Sequence, residues 1–180
     1  MMAHKKCRFG LLLALAGVSL ALPVLAFGQG HQKDPLTDQQ VDQLRENGDQ
    51  PVEKIKLYLG FIEERTAEIQ RLGALKNGQN QDPRLHNLYE EFTRISDELE
   101  DNLDSFAIQH ADMRKVLKTV VDQSEKWPSV LNGPKMGSED DFVRKTALAA
   151  CQSVHDDAKQ MLDEQEKYFS KQKTGKGGGS

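Results

Sequence analysis

Apolar residues recur at alternating spacings of three and four along residues 85 to 106, and this pattern constrains the fold more than any other feature. Such spacing places the apolar side chains on one stripe of an α-helix, which is stable only when another element covers the stripe. Asp82 is placed to cap this helix, and Pro83 suits its first position. The stripe consists of Leu85, Leu88, Phe92, Ile95, Leu99, Leu103 and Phe106.

Other segments also show helical periodicity, and strand-like alternation never extends beyond a few residues. We therefore predict an all-α protein, an antiparallel up-and-down helical bundle of three to four long helices plus a short N-terminal helix. Besides the helix from Pro83, we expect a short first helix from Thr37 to Asn47-Gly48. A second helix begins near Asp49, with Pro51 in its first turn, and ends at Asn77-Gly78. The last helix has Ser138 as its cap and extends to about Lys171.

The segment "AIQHADM", residues 107 to 113, leaves the end of the third helix open. The apolar stripe resumes at Met113, Val116 and Val120 nearly in phase, so a continuous helix fits the pattern. A short break with Asp112 as the next cap fits it as well, and we favour the break. The residues from Pro128 to Gly137 include Asn132-Gly133-Pro134 and predict an interior loop.

The N-terminus resembles a secretory signal peptide. Lys5, Lys6 and Arg8 precede the apolar run "LLLALAGVSLALPVLA", whose end suits cleavage after Ala26. The run is shorter than a permanent membrane span, so we expect a periplasmic or secreted protein without stable membrane insertion. The predicted organisation is a signal peptide at 1–26, a flexible segment at 27–36, a helical bundle domain at 37–171 and a disordered Lys/Gly-rich tail at 172–180.

Charge and cysteine content narrow the function classes. Cleavage after residue 26 leaves 21 basic residues against 28 acidic ones, a net charge of −7, which disfavours a nucleic-acid partner. Cys7 is lost with the signal peptide, so the remaining Cys151 has no cysteine in its own chain to pair with. It is either a free thiol or a bridge between two chains, and a homodimer remains open.

The stretch "ACQSVHDDAK", residues 150 to 159, sets Cys151 beside His155 and two aspartates. Cys151 occupies a position of the last apolar stripe where a small residue is expected, so we interpret it as a buried free thiol that packs like alanine. Three alternatives remain open. They are a Cys–His metal pair, a cysteine nucleophile with His155 as its base, and an intermolecular disulfide.

The sequence lacks the common catalytic and cofactor motifs. It contains no G-x-S-x-G, H-E-x-x-H or C-x-x-C-H, and no Glu-x-x-His pair of the di-iron bundles. We therefore predict neither enzymatic activity nor a cofactor. A haem held without covalent attachment stays open, because a bundle core can supply histidine and methionine ligands. The residues available for it are His110, His155, Met113 and Met161.

The third helix also carries a group of acidic residues. A calcium loop needs glycine so that its ligands converge, and these residues lie on a periodic helix instead. We expect a solvated face, with Arg94 and Glu98 spaced to form an ion pair. The group consists of Asp97, Glu98, Glu100, Asp101 and Asp104.

The segment "LTDQQVDQLRE", Leu36 to Glu46, resembles the L-T-x-x-Q motif of the small periplasmic helical chaperones related to Spy and CpxP. The matching residues are Leu36, Thr37 and Gln40, and the motif occurs once here. The resemblance implies an all-helical, exported, ATP-independent chaperone that binds unfolded clients. It would make these three residues part of a client-binding surface.

Taken together, the sequence predicts an exported, non-catalytic helical-bundle protein of the cell envelope that acts by binding or as a structural scaffold. Its partner would be an unknown protein or another envelope component. The alternatives are an ATP-independent holdase-type chaperone and a bundle that binds haem or a metal.

Overall fold

The computed structural model describes residues 34–75, 83–109 and 111–175. All regular structure in these ranges is helical, which confirms the predicted fold class. The signal peptide predicted at 1–26 lies outside the described residues. The helices are α1 (Asp38–Glu46), α2 (Pro51–Gly73), α3 (Pro83–Ile108), α4 (Arg114–Ser124), α5 (Trp127–Leu131) and α6 (Asp141–Gly175), with a 3-10 turn at Ser138–Asp140.

The start of α1 forms through reciprocal side-chain capping, as predicted. The Thr37 hydroxyl accepts a hydrogen bond from the Gln40 amide at 3.3 Å, and the Gln40 side chain accepts one from the Thr37 amide at 3.0 Å. Two donors that a helix start leaves without intrahelical partners are thereby satisfied. Asn47 caps the other end of α1, where the sequence predicted it.

Helix α2 begins at Pro51 as expected but ends at Gly73, before the predicted Asn77-Gly78. A Cβ added to Gly73 would lie 2.7 Å from the Pro134 Cγ atom, so glycine is needed for this close approach. Helix α3 begins at Pro83 as predicted, whereas its expected cap, Asp82, lies outside the described residues.

The break after α3 is confirmed, but its predicted cap is wrong. Met113 is the N-cap of α4, and its backbone amide donates to the Gln165 side chain at 2.9 Å. The carboxylate of Asp112 accepts two hydrogen bonds from the Arg114 guanidinium, at 2.8 and 2.7 Å, and a longer one, at 3.4 Å, from the Arg114 backbone amide. The amide of Met113 is therefore satisfied by α6 and not by a neighbour in sequence.

The core lies between α2, α3, α4 and α6, with α5 packed against α2 and α6. Every residue of the predicted α3 stripe is buried, which confirms which face of this helix turns inward. Phe92 meets Trp127 edge to face, with ring centroids 5.6 Å apart. In the described part of the chain, no helix is both long and apolar enough to cross a membrane.

Several predicted boundaries need correction. Of the segment expected to be flexible at 27–36, residues 27–33 lie outside the described ranges, whereas Pro35 and Leu36 are buried. Ser138 opens a 3-10 turn with Gly137 as its cap, and α6 itself begins at Asp141. The end of α6 also differs, because the helix extends to Gly175, into the tail predicted at 172–180.

Candidate functional site

The described residues form a pocket where α3 gives way to the link before α4. Its volume is about 320 Å³. Ala107, at the end of α3, and Ala111, in the link, contribute small side chains, so the facing part of α6 is only partly covered. From α6 the pocket is lined by Met161, Glu164, Tyr168 and Phe169.

Gln165 also lines this pocket and holds the link in place. Its side-chain oxygen accepts a hydrogen bond from the Met113 amide at 2.9 Å, and its side-chain nitrogen donates to the Ala111 carbonyl at 2.9 Å. Gln165 is itself buried. A polar residue in the apolar stripe of α6 thus pairs backbone groups that the break would otherwise leave unpaired.

The aromatic wall of the pocket is partly open to solvent. Tyr168 keeps 42% of its surface exposed and meets Phe169 edge to face, with ring centroids 5.1 Å apart. The Arg114 guanidinium lies 4.5 Å from the centre of the Phe169 ring, a cation–π contact. The same guanidinium binds Asp112, and this hydrogen bond lowers the pKa of that carboxyl.

In the "ACQSVHDDAK" stretch, Cys151 and His155 bond to different atoms of Ser124. Cys151 is 1% exposed, and its thiol donates to the backbone carbonyl of Ser124 at 3.4 Å. His155 bonds instead to the Ser124 hydroxyl, with 3.0 Å between Nδ1 and Oγ. Burial raises the pKa of the Cys151 thiol to about 11. The thiolate that nucleophilic attack or disulfide exchange requires is therefore disfavoured at neutral pH.

The residues that resemble the chaperone motif make contacts within the protein itself. Leu36 belongs to the core, and Gln40 is buried and donates to the Glu64 carboxylate on α2 at 2.8 Å. Arg65 on α2 donates to the backbone carbonyl of Pro35. Thr37 is exposed but serves as the cap of α1. The motif thus fastens the start of α1 to α2.

Of the residues considered as haem or metal ligands, the structure describes Met113, Met161 and His155. Met113 is fully buried at the start of α4, while Met161 lines the pocket and His155 bonds to Ser124. His110 lies outside the described residues. Within the described ranges, no three His, Cys, Asp or Glu side chains are grouped so as to hold a metal ion.

The acidic group of α3 is solvated only in part: Asp97, Asp101 and Asp104 are exposed as predicted, whereas Glu98 and Glu100 are partly buried. Burial is the main cause that raises the pKa values of Asp97, Glu98 and Glu100. The Tyr58 hydroxyl donates to Glu98 at 3.3 Å, and burial together with that carboxylate raises the pKa of Tyr58 to about 12. One side of the group therefore faces α2.

Among the described residues, two buried polar atoms of α3 have no hydrogen-bond partner. They are the hydroxyl oxygen of Ser96 and one carboxyl oxygen of Glu100. The aspartates near Glu100, among them Asp157 on α6, raise its pKa further, whereas a hydrogen bond with Ser153 lowers it. Burial removes water from both atoms, and no hydrogen bond from the described residues replaces it, so the stability of the fold is lowered.

No protein-family model, curated protein or solved structure matches this chain. The candidate site is therefore identified from its geometry alone. The sequence contained one signal for it, because Gln165 interrupts an otherwise apolar stripe. Glu164 and the pair of alanines carried no such signal, since only the packing of the link onto α6 brings them to one pocket.

Proposed function

We propose that this chain is an exported helical-bundle protein of the cell envelope, periplasmic or secreted, that acts by binding and not by catalysis. The signal-like residues 1–26 support export. The pocket between the α3–α4 link and α6 supports binding, because it is concave, largely apolar and partly open at Tyr168. This pocket is the single observation that carries the proposal.

The finer architecture that we propose is the antiparallel up-and-down bundle. Contacts between α2 and α3 support it, because residues late in one helix meet residues early in the other. The Tyr58 hydroxyl donates to Glu98 at 3.3 Å, and nearer the other end Glu68 pairs with Arg84 at 2.7 Å. Neighbouring helices that run in opposite directions produce this order of contacts.

Contacts between α4 and α6 follow the same order. Lys118 pairs with Glu166 at 3.0 Å, and Ser124, at the end of α4, bonds to His155 at 3.0 Å. Later residues of α4 thus meet earlier residues of α6. In this arrangement the pocket lies at one end of the bundle, where the chain turns from α3 into α4.

A holdase-type chaperone is the second candidate, and two exposed side chains favour it. Ile108 is 79% exposed at the end of α3, and Phe142 is 75% exposed at the start of α6. Each can contact an unfolded client as a single apolar site, since the start of α6 lies beside the start of α3, where His86 bonds to Asp140 at 2.8 Å. This candidate depends on those surfaces and not on Leu36 and Gln40, which are buried.

A paired experiment distinguishes the two candidates. The mature protein is used for a pull-down from envelope extract, and the same preparation is tested for suppression of aggregation of a denatured client. The proposed binding protein captures a stoichiometric partner and does not suppress aggregation. Suppression without a stoichiometric partner supports the chaperone. Turnover of a substrate that depends on Cys151 or His155 would overturn both.

A further inference from the structure

The polar groups that line the pocket differ in what they can offer a ligand. Both ends of the Gln165 amide are already used by backbone groups of the link. The Glu164 carboxylate accepts one hydrogen bond, from the Gln160 side chain at 3.0 Å to Oε1. Its other oxygen accepts none from the residues that the structure describes. Glu164 is therefore the charged group with capacity for a ligand.

The aromatic wall adds to this negative character. The faces of Tyr168 and Phe169 carry the negative side of the ring quadrupole, which attracts cations. Arg114 already occupies such a position 4.5 Å from the centre of the Phe169 ring. Two hydrogen bonds to Asp112 offset its charge, so Arg114 does little to repel a second cation.

The basic residues in the last turns of α6 do not cancel the negative character of the pocket. Lys167 and Lys171 are exposed, and neither lines the pocket. The remaining lining, Ala107, Ala111 and Met161, is apolar. A volume of about 320 Å³ is at the lower end of the range for ligand pockets, so the pocket suits a small molecule.

We propose that the pocket takes a small organic ammonium compound with an apolar body, a ligand class that rests on the binding function proposed above. The apolar body lies against Ala107, Ala111 and Met161. The cation lies near the Glu164 carboxylate. Neutral and anionic amphiphiles of the same size bind more weakly, because they gain only the apolar contact.

Methionine methyl groups provide the readout. The full mature protein is labelled with ¹³C-methyl methionine and titrated with hexyltrimethylammonium, hexanol or hexyl sulfate, which carry the same hexyl chain. Met161 reports on the pocket, and Met136, in the loop before α6, is the internal reference. We expect Met161 to shift with the ammonium compound at a Kd about fivefold lower than with hexanol. Hexyl sulfate should bind most weakly.

Two charge variants identify the group responsible. Glu164→Gln should reduce ammonium binding to the level of hexanol, whereas Asp163→Asn, which removes one negative charge from the neighbouring residue, should leave it unchanged. The inference is overturned if Met161 does not shift, if the three probes bind equally, or if Glu164→Gln keeps the preference. Capture of a partner in the pull-down is a separate result, so the binding function and its ligand class can fail independently.

Discussion

The side-chain oxygen of Gln165 accepts a hydrogen bond from the backbone amide of Met113 at 2.9 Å, although 52 residues separate the two in the chain. The Gln165 nitrogen donates to Ala111 at the same distance. One side chain of α6 thus bridges the link between α3 and α4. Because this link supplies one side of the pocket, the stability of the fold and the shape of the site depend on the same residue.

Replacing Gln165 with leucine should destabilise the protein by about 1–3 kcal/mol, because the Met113 amide and the Ala111 carbonyl lose their partner. Urea denaturation gives the free energy of unfolding. The matched control is Gln152→Leu at an exposed position of the same helix, where the change should be below about 0.5 kcal/mol. Equal effects at the two positions would show that the bridge contributes nothing.

Replacing Phe92 or Leu99 with alanine should cost about 2–5 kcal/mol, because both side chains are fully buried and truncation leaves a cavity. The control is Leu75→Ala, since Leu75 is 53% exposed and lies just after α2. Thermal or urea unfolding measures all three variants. A loss below about 0.5 kcal/mol at both core positions would mean that α3 buries a different face.

Cys151 should react slowly with a thiol reagent in the folded protein and rapidly after unfolding. Burial keeps the reagent out and raises the pKa of the thiol to about 11, so little thiolate is present at neutral pH. Because the folded state holds this proton more tightly than the unfolded state, stability should also fall as the pH rises from about 9 towards 11. Fast labelling of the native protein would place the thiol at the surface.

Glu100→Gln should stabilise the protein at pH 7 and have little effect near pH 4. Burial and the nearby aspartates raise the pKa of Glu100, so the charged form costs stability in the folded state as the pH rises through that pKa. The neutral glutamine removes this cost. Urea denaturation at the two pH values measures it, with Glu63→Gln on the exposed side of α2 as the control. An equal effect at pH 4 and pH 7 would exclude a charge-based cause.

The sequence predicted those parts of the fold that depend on local patterns. The α3 stripe around Phe92 and Leu99 could be predicted because helical periodicity alone determines which face is apolar. The cap at Thr37 could be predicted because its partner, Gln40, lies three residues away. In both cases the sequence neighbourhood contains all the interacting groups.

The remaining features depend on contacts between distant segments. The cap of α4 could not be assigned locally, because Met113 bonds to Gln165 on another helix. The partial burial of Glu100 depends on which side of α3 packs against α6. The pocket itself arises only when Ala107 and Ala111 lie opposite the end of α6, and spacing along the chain does not encode that approach.

Capture of a partner by a pocket-filled variant tests the central proposal most directly. Ala107→Phe places a ring in the pocket at a helical position, and Ala149→Phe makes the same change at an exposed position of α6 outside it. Circular dichroism first establishes that both variants keep their helices. We expect Ala107→Phe to lose most of the partner that the wild-type protein captures from envelope extract, and Ala149→Phe to retain it. Equal capture by both variants would contradict a binding function at this pocket.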